Sequence, residues 1–242
     1  MEENSLREVA SKAERIGVIG SPSSTNQIKL DVLGSAVDKK LVGAFTFFLF
    51  RQEGREHCAL GQVTEINLRN PWVEDPTMRG LIRQKGRVDP ITERQDTHTA
   101  NMTIGAVFAE NAGFFEQSSL GTVASTGTPV HLVDDETLDV ILFPYKEEIF
   151  YLGRVYGAQP LLPVWFRHFG EGKGGIGEAY HIGIFGKTGS GKSVIAKMIT
   201  TGYARHKPMS IFALDPQGEF SKDMKEESRL KEILVERLSR EL

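Results

Sequence analysis

Gly186-Lys187-Thr188-Gly189-Ser190-Gly191-Lys192-Ser193 decides how the second half of this chain is read. The spacing is G-x-x-x-x-G-K-[ST]. The apolar run Tyr180 to Phe185 precedes it, and Ser193 to Ala204 follows with Ile195, Met198 and Ile199 on one side. That order predicts a strand, a Gly-rich turn and a helix, the setting a phosphate-binding loop requires. Each residue type has a physical reason. Glycines let successive N–H groups point into one concavity. The helix start adds partial positive charge at the same place. Lys192 brings a mobile full charge to the β- and γ-phosphates of ATP, and the small, hard Ser193 hydroxyl suits Mg²⁺. A Gly-rich turn that merely caps a helix is the plainer reading, and the strand–loop–helix context weighs against it.

Downstream, Met209 to Leu214 reads as a buried-type strand that runs into Asp215-Pro216-Gln217-Gly218-Glu219-Phe220. In a parallel sheet the carboxyl ends of strands form the ligand edge, so Asp215 is expected on the phosphate side. It is a candidate Mg²⁺-holding aspartate if the two strands are neighbours. One strand further away, it would meet a neighbouring subunit or a water. Asp-Pro and Gln-Gly are also ordinary turn dipeptides. Glu219 places a second carboxylate near the same edge. Ser221 to Leu242, with Leu230, Leu234 and Leu238 at steps of four, reads as an amphipathic helix. Strand, helix, strand, helix is the beginning of an α/β parallel sheet.

Upstream, Gly170 to Gly177 holds five glycines in eight residues and reads as a flexible joint. Gly172 to Gly177 also fits G-x-G-x-x-G, but it precedes a strand and opens no helix, so the joint is the better reading. Before the joint the chain is β-rich. Ile16–Ile19, Ile28–Leu33, Phe45–Phe50, Thr103–Ala109, Val130–Val133 and Leu138–Phe143 are short apolar runs, punctuated by turn formers such as Glu53-Gly54. They suggest a small barrel or sandwich. The polar stretch Asn70 to Asn101 reads as a long loop or partly helical insertion. The expected fold class is therefore mixed: a small N-terminal β-barrel followed by the beginning of an α/β P-loop NTPase (RecA-like) domain. The expected boundaries are 1–14 for an N-terminal segment, 15–165 for the barrel with its insertion 70–101, 166–179 for the linker, and 180–242 for an incomplete ATPase domain.

Composition narrows the function classes. The chain has 242 residues, and 29 Lys+Arg against 32 Asp+Glu leave a net charge of −3, so it is no uniformly basic nucleic-acid coat. The longest apolar stretch, Leu41 to Phe50, is about half of what a bilayer span needs, and Met1 to Arg15 lacks the apolar core of a secretory signal. The single Cys58 forms no internal disulfide. These points together lead us to expect a cytoplasmic protein with no membrane partner.

The weaker signals have bland readings. The six histidines are scattered and none pairs at zinc spacing, so no structural metal site is expected. His57 beside Cys58 is not a nucleophile pair, because adjacent side chains point apart. Arg79, Arg83, Lys85 and Arg87 form the densest basic cluster and read as a solvated loop face before a nucleic-acid or protein contact. Trp72 and Trp165 read as packing residues.

With the loop, the joint and the acidic motif together, the chain resembles the HerA family of hexameric P-loop ATPases, relatives of the FtsK-type DNA translocases. The resemblance rests on His181-Ile182-Gly183-Ile184-Phe185 running into Gly186–Ser193, and on the D-P-x-G-E pattern of Asp215 to Glu219. The strand pattern beginning Arg15-Ile16-Gly17-Val18-Ile19-Gly20 is similar to the barrel these proteins carry ahead of the motor. The resemblance implies a homo-hexameric ring with ATP between neighbours and double-stranded DNA drawn through the pore. It also implies a nuclease or sirtuin-like effector partner, in DNA end resection or anti-phage defence. Lys192 and Ser193 match the nucleotide and Mg²⁺ positions. Lys192 and Glu219 are the candidate catalytic residues. Gly186, Lys187, Thr188, Gly189, Ser190, Gly191, Lys192, Ser193 and Asp215 are the candidate nucleotide contacts. The arginine a neighbour would supply is sought among Arg154, Arg167 and Arg205. The alternative is an ATP-regulated ring scaffold that controls an effector without moving DNA. The sequence departs from the family in one respect: forty-nine residues follow Ser193, and no apolar strand ending in the Walker B Asp-Glu is among them. We therefore expect the chain to be an N-terminal portion of a longer protein, or a truncated form with little hydrolysis of its own.

Overall fold

The computed structural model describes residues 6–86, 95–111, 114–146, 149–154, 160–165, 181–206 and 210–238. The chain divides into two compact units, one of Met1–Lys146 with Arg154–Leu161, the other of Glu147–Gly153 with Leu162–Leu242.

The first unit is a closed barrel. Helix α1 (Leu6–Lys12) leads into strands β1 (Arg15–Ile19), β2 (Ile28–Val32), β3 (Phe45–Gln52) and β4 (Arg55–Arg69). Helices α2 (Pro71–Glu74) and α3 (Pro76–Lys85) follow, then β5 (Thr97–Asn111), β6 (Phe114–Ser118), β7 (Pro129–Leu132) and helix α4 (Asp135–Leu142). The strand order is β2-β1-β7-β3-β4-β5-β6, and β2 also pairs with β5, from Ile28 opposite Met102 to Asp31 opposite Thr99. That pairing closes a six-stranded barrel and removes its open edges.

The barrel forms because these strands are dominated by β-branched, Leu and Phe residues that turn one face inward. Ile16, Ile19, Ile28, Leu30, Phe48, Ala59, Val63, Met102 and Val130 fill the interior. β3 and β4 meet across the Glu53-Gly54 turn, with Gln52 opposite Arg55. β4 and β5 are each 15 residues long, and irregular register near Leu60–Gly61 and Val63–Glu65 bends the ribbon around the barrel. At Gly61 the bend leaves no room for a side chain: a Cβ there would lie 2.4 Å from the Thr103 carbonyl oxygen.

The expected insertion is partly helical. Asn70 caps α2 by accepting from the N–H groups of Trp72 and Val73, and Asp75 caps α3 by accepting from Thr77 and Met78. A proline follows each cap, at the position where a missing N–H costs nothing. The far end is strand, since β5 begins at Thr97. Trp72 departs from its reading as a packing residue: it is 53% exposed, because α2 and α3 carry no buried residues. Arg79, Arg83 and Lys85 lie exposed on α3, while Arg87 lies outside the described residues.

Leu138–Phe143, expected as a strand, belongs to helix α4 and the 3-10 turn after it. The Asp134 carboxylate accepts from the Thr137 N–H at 2.8 Å and from the Thr137 hydroxyl at 2.6 Å, and Asp135 and Glu136 occupy the first turn. Leu138, Ile141 and Leu142 then fall on one buried helical face. Cap and periodicity outweigh the apolar run. Asp134→Ala is expected to cost about 1 kcal/mol of stability, read by urea denaturation.

The second unit holds all but one end residue each of β8 (Ile149–Arg154) and β9 (Leu161–Trp165), which pair with each other, and helix α5 (Lys192–Ala204). Helix α6 (Glu219–Lys225) and a short α7 (Arg229–Lys231) complete it, the last continued by a π-helical stretch, Glu232–Arg237. The single amphipathic helix expected from Ser221 onward is thus two. Ser228 interrupts it: its hydroxyl donates to the Asp223 carbonyl and accepts from the Lys231 N–H, ending one helix and capping the next. Leu230 and Leu234 are buried with Ala204, and Phe220, Met224 and Leu238 pack against them.

The expected strands Tyr180–Phe185 and Met209–Leu214 do not form among the described residues; 181–187 and 210–215 carry no regular secondary structure. Phe185 and Phe212 are each 93% exposed and Leu214 98%. The apolar runs set a demand for burial, but a strand exists only when a neighbour completes its ladder, and neither stretch is paired here. The Gly-rich joint, 166–179, lies outside the described residues, as does Arg167. Among the described residues no helix is long and apolar enough to cross a membrane.

Candidate nucleotide-binding site

The loop is built from its glycines outward. Gly189 and Gly191 take positive φ, +80° and +85°, which only glycine adopts without strain. These two positions let the chain reverse over Thr188-Gly189 and enter α5. The Ser190 N–H donates to the Lys187 carbonyl at 3.2 Å, closing the curl. Gly186 packs closely on the other side of the curl: a Cβ there would sit 2.5 Å from the Ser190 hydroxyl.

Helix α5 starts at Lys192, directly from Gly191, and no side chain caps it. Its first N–H groups are the donors an anion would take in place of a cap. The Lys192 ammonium folds back over the loop and donates to the Lys187 carbonyl at 2.8 Å. Ser193, the second helical residue, stands beside it at the helix start.

These features fit a polyphosphate on three counts: a glycine-curled loop opening an uncapped helix start, a lysine folded over that loop, and a hydroxyl at the helix start. Bound there, ATP would lie against the loop and the first N–H groups of α5, with Lys192 exchanging the Lys187 carbonyl for phosphate oxygens. Ser193 would hold Mg²⁺, which supplies neutralisation of the charge between the β- and γ-phosphates.

The acidic block is a helix start of another kind. Asp215 Oδ1 accepts from the Glu219 N–H at 3.1 Å, and Oδ2 accepts from the Ser221 N–H at 2.8 Å and the Ser221 hydroxyl at 3.1 Å. Gly218, at φ +72°, turns the chain into α6. Asp215 therefore holds the first turn of α6 together, and Glu219 is the first residue of that helix, exposed. The Ser221 N–H above all, opposed by a smaller cost of burial, then aided by the Ser221 hydroxyl and the Phe220 and Glu219 N–H groups, holds the Asp215 carboxyl below its ordinary range. The sign follows from linkage. A carboxyl lowered in the folded state stabilises above its unfolded pKa of about 3.9, and that contribution is lost as pH falls through the folded value. Asp215→Ala should therefore lower the thermal midpoint at pH 7, and the difference from the unsubstituted protein should shrink below about pH 4.

Lys197 joins the two blocks, and the sequence reading did not single it out. Its ammonium pairs with Asp223 Oδ2 at 2.8 Å and lies 5.6 Å from the centre of the Phe220 ring. The available signal was spacing: Lys197 lies four residues after Ser193, and Asp223 four after Glu219, so each partner shares a helix face with a predicted site residue. Of the arginines considered for a neighbour's site, Arg205 donates from Nη1 to the Ile149 carbonyl within its own unit, and Arg154 is exposed at the end of β8. Among the described residues no group of His, Cys, Asp and Glu is arranged to hold a metal ion. Cys58 is buried in the barrel, where desolvation raises its thiol pKa far above the ordinary range, so it is no nucleophile.

A glycine-curled loop opening an uncapped helix with a Lys-Ser pair is the mark of the P-loop nucleotide-binding proteins. Residues 179–238, about a quarter of the chain, match the family model described as "Helicase HerA, central domain". That match spans the loop, α5 and the Asp215 block, so over this segment the chain is similar to the HerA central domain. A search of curated proteins finds no match.

Proposed function

We propose that this chain is the ATP-binding subunit of a HerA-type ring ATPase that moves double-stranded DNA and works with a nuclease or other effector. The observation that carries the reading is the phosphate-type curl of Gly186–Ser193 at the start of α5, inside a segment similar to the HerA central domain. An uncapped helix start, a lysine over the loop and a hydroxyl beside it make up a set suited to triphosphate binding and support the reading. Ring assembly is part of the proposal: P-loop enzymes use an arginine, in cis or from a neighbour, to stabilise charge on the γ-phosphate, and in a ring the neighbouring subunit would provide it. A cytoplasmic setting, and a role in DNA repair or anti-phage defence, belong to the same proposal.

The test is ATP hydrolysis by the full-length protein with and without linear duplex DNA. Stimulation by DNA, together with DNA retention in a gel-shift assay, supports the translocase. Hydrolysis that ignores DNA but responds to a co-purifying partner supports the scaffold reading, and absence of ATP binding contradicts both.

A further inference from the structure

The geometry points to Lys197 as the positioning residue that sets the acidic block against the metal-binding end of the phosphate loop. The inference deepens the nucleotide-binding reading and rests on it.

On α5, Ser193 and Lys197 are one turn apart and share a face. On α6, Glu219 and Asp223 stand in the same relation. The Lys197–Asp223 ion pair at 2.8 Å therefore joins the face of the loop helix that carries the Mg²⁺-type hydroxyl to the face of α6 that begins with Glu219. It is no loose surface pair. The two side chains retain 21% and 31% of their exposure, so both are largely withdrawn from water, where a charge pair is less screened. The Phe220 ring backs the ammonium, and Phe220 itself packs against the Ala204, Leu230 and Leu234 cluster. The ammonium thus lies between an aromatic ring anchored in that core and the Asp223 carboxylate. Asp215, by capping α6, fixes where that helix begins. The connection runs along α5 from Ser193 to Lys197, across the ion pair to Asp223, and along α6 to Glu219.

This arrangement separates two parts of nucleotide affinity. Binding of ATP without metal draws on the loop N–H groups and Lys192, which Lys197 does not touch. The gain in affinity on adding Mg²⁺ draws on Ser193 and on carboxylates brought near it, and there the placement of Glu219 matters. Residues that orient groups around a metal contribute about 10- to 100-fold to metal affinity or activity.

The experiment measures ATP affinity of the full-length protein by fluorescence titration with a labelled ATP, in EDTA and in Mg²⁺. Lys197→Met keeps an unbranched aliphatic side chain of similar length and removes the charge. It is expected to bind ATP in EDTA as the unsubstituted protein does, and to lose about tenfold of the Mg²⁺-dependent gain. Reversing the pair, Lys197→Asp with Asp223→Lys, should restore much of that gain, which a purely structural contact elsewhere on Lys197 would not do. Lys197→Met with the full Mg²⁺ gain, an equal loss with and without metal, or a reversed pair no better than the single variant would each overturn the inference. In those three cases the unsubstituted protein still binds ATP and the functional reading stands. An unsubstituted protein indifferent to ATP overturns both.

Discussion

Lys192→Ala is expected to weaken ATP binding by about a hundredfold or more, and to abolish hydrolysis in the full-length protein. The reason lies in what the ammonium does in the loop. Its one hydrogen bond, to the Lys187 carbonyl, is neutral at the acceptor and easily exchanged. Phosphate oxygens are fully charged acceptors, and charge-assisted bonds are roughly twice as strong as neutral ones. Removing the ammonium therefore costs the complex much more than the free protein. The thermal midpoint without nucleotide should change little, because the ammonium's hydrogen bond to the Lys187 carbonyl is exposed to water. Lys192→Arg tests shape as well as charge: the planar, bulkier guanidinium cannot place a compact point charge as the ammonium does and should not restore tight binding. Isothermal titration of ATP reads all three proteins. Equal affinity of the Ala variant would remove the loop from the functional account.

Phe48→Ala should destabilise the barrel by about 3–5 kcal/mol, against a total of about 5–15 kcal/mol for a typical domain. Phe48 is fully buried, sits mid-strand opposite Ala59, and its ring stands 5.6 Å from that of Phe50. The small partner across the ladder is the reason for the size of the effect. Ala59 cannot grow into the space, and a closed barrel cannot draw its strands together without breaking the β2–β5 pairing that closes it. The cavity therefore persists. Urea denaturation followed by far-UV circular dichroism checks the magnitude, and a loss below about 1 kcal/mol would mean that the interior repacks freely.

The barrel was legible because its signals are local and redundant. Phe45–Phe50 is dense in aromatic residues, Glu53-Gly54 supplies the turn, and each run is short. Its closure was not, since the pairing of Ile28–Asp31 with Thr99–Met102 joins segments about 70 residues apart and leaves no mark in either. The helix at Asp135–Leu142 was missed because the apolar content of 138–143 was weighed without the cap that Asp134 and Thr137 provide. The break at Ser228 was missed for a related reason: leucines at steps of four continue through it, while one hydroxyl with two partners stops the helix.

The loop was legible as a whole, since Gly189, Gly191, Lys192 and Ser193 each answer to a separate physical demand. The role of Asp215 was less so. A carboxylate after Pro-free strand residues can face a metal or cap the next helix, and only the Ser221 and Glu219 contacts show the capping. The flanking runs 181–185 and 210–214 show the limit of pattern. Their residues state a preference for burial, while a strand needs a partner that the run itself cannot name.

The most direct test of the central claim is hydrogen–deuterium exchange of the loop amides with and without ATP and Mg²⁺. If the backbone of Gly189 to Ser193 cradles the phosphates, the amides of that stretch should slow markedly on adding nucleotide, and Lys192→Ala should erase the effect. Exchange that stays unchanged across 186–193 at saturating ATP, or protection that falls only elsewhere in the chain, would contradict the account.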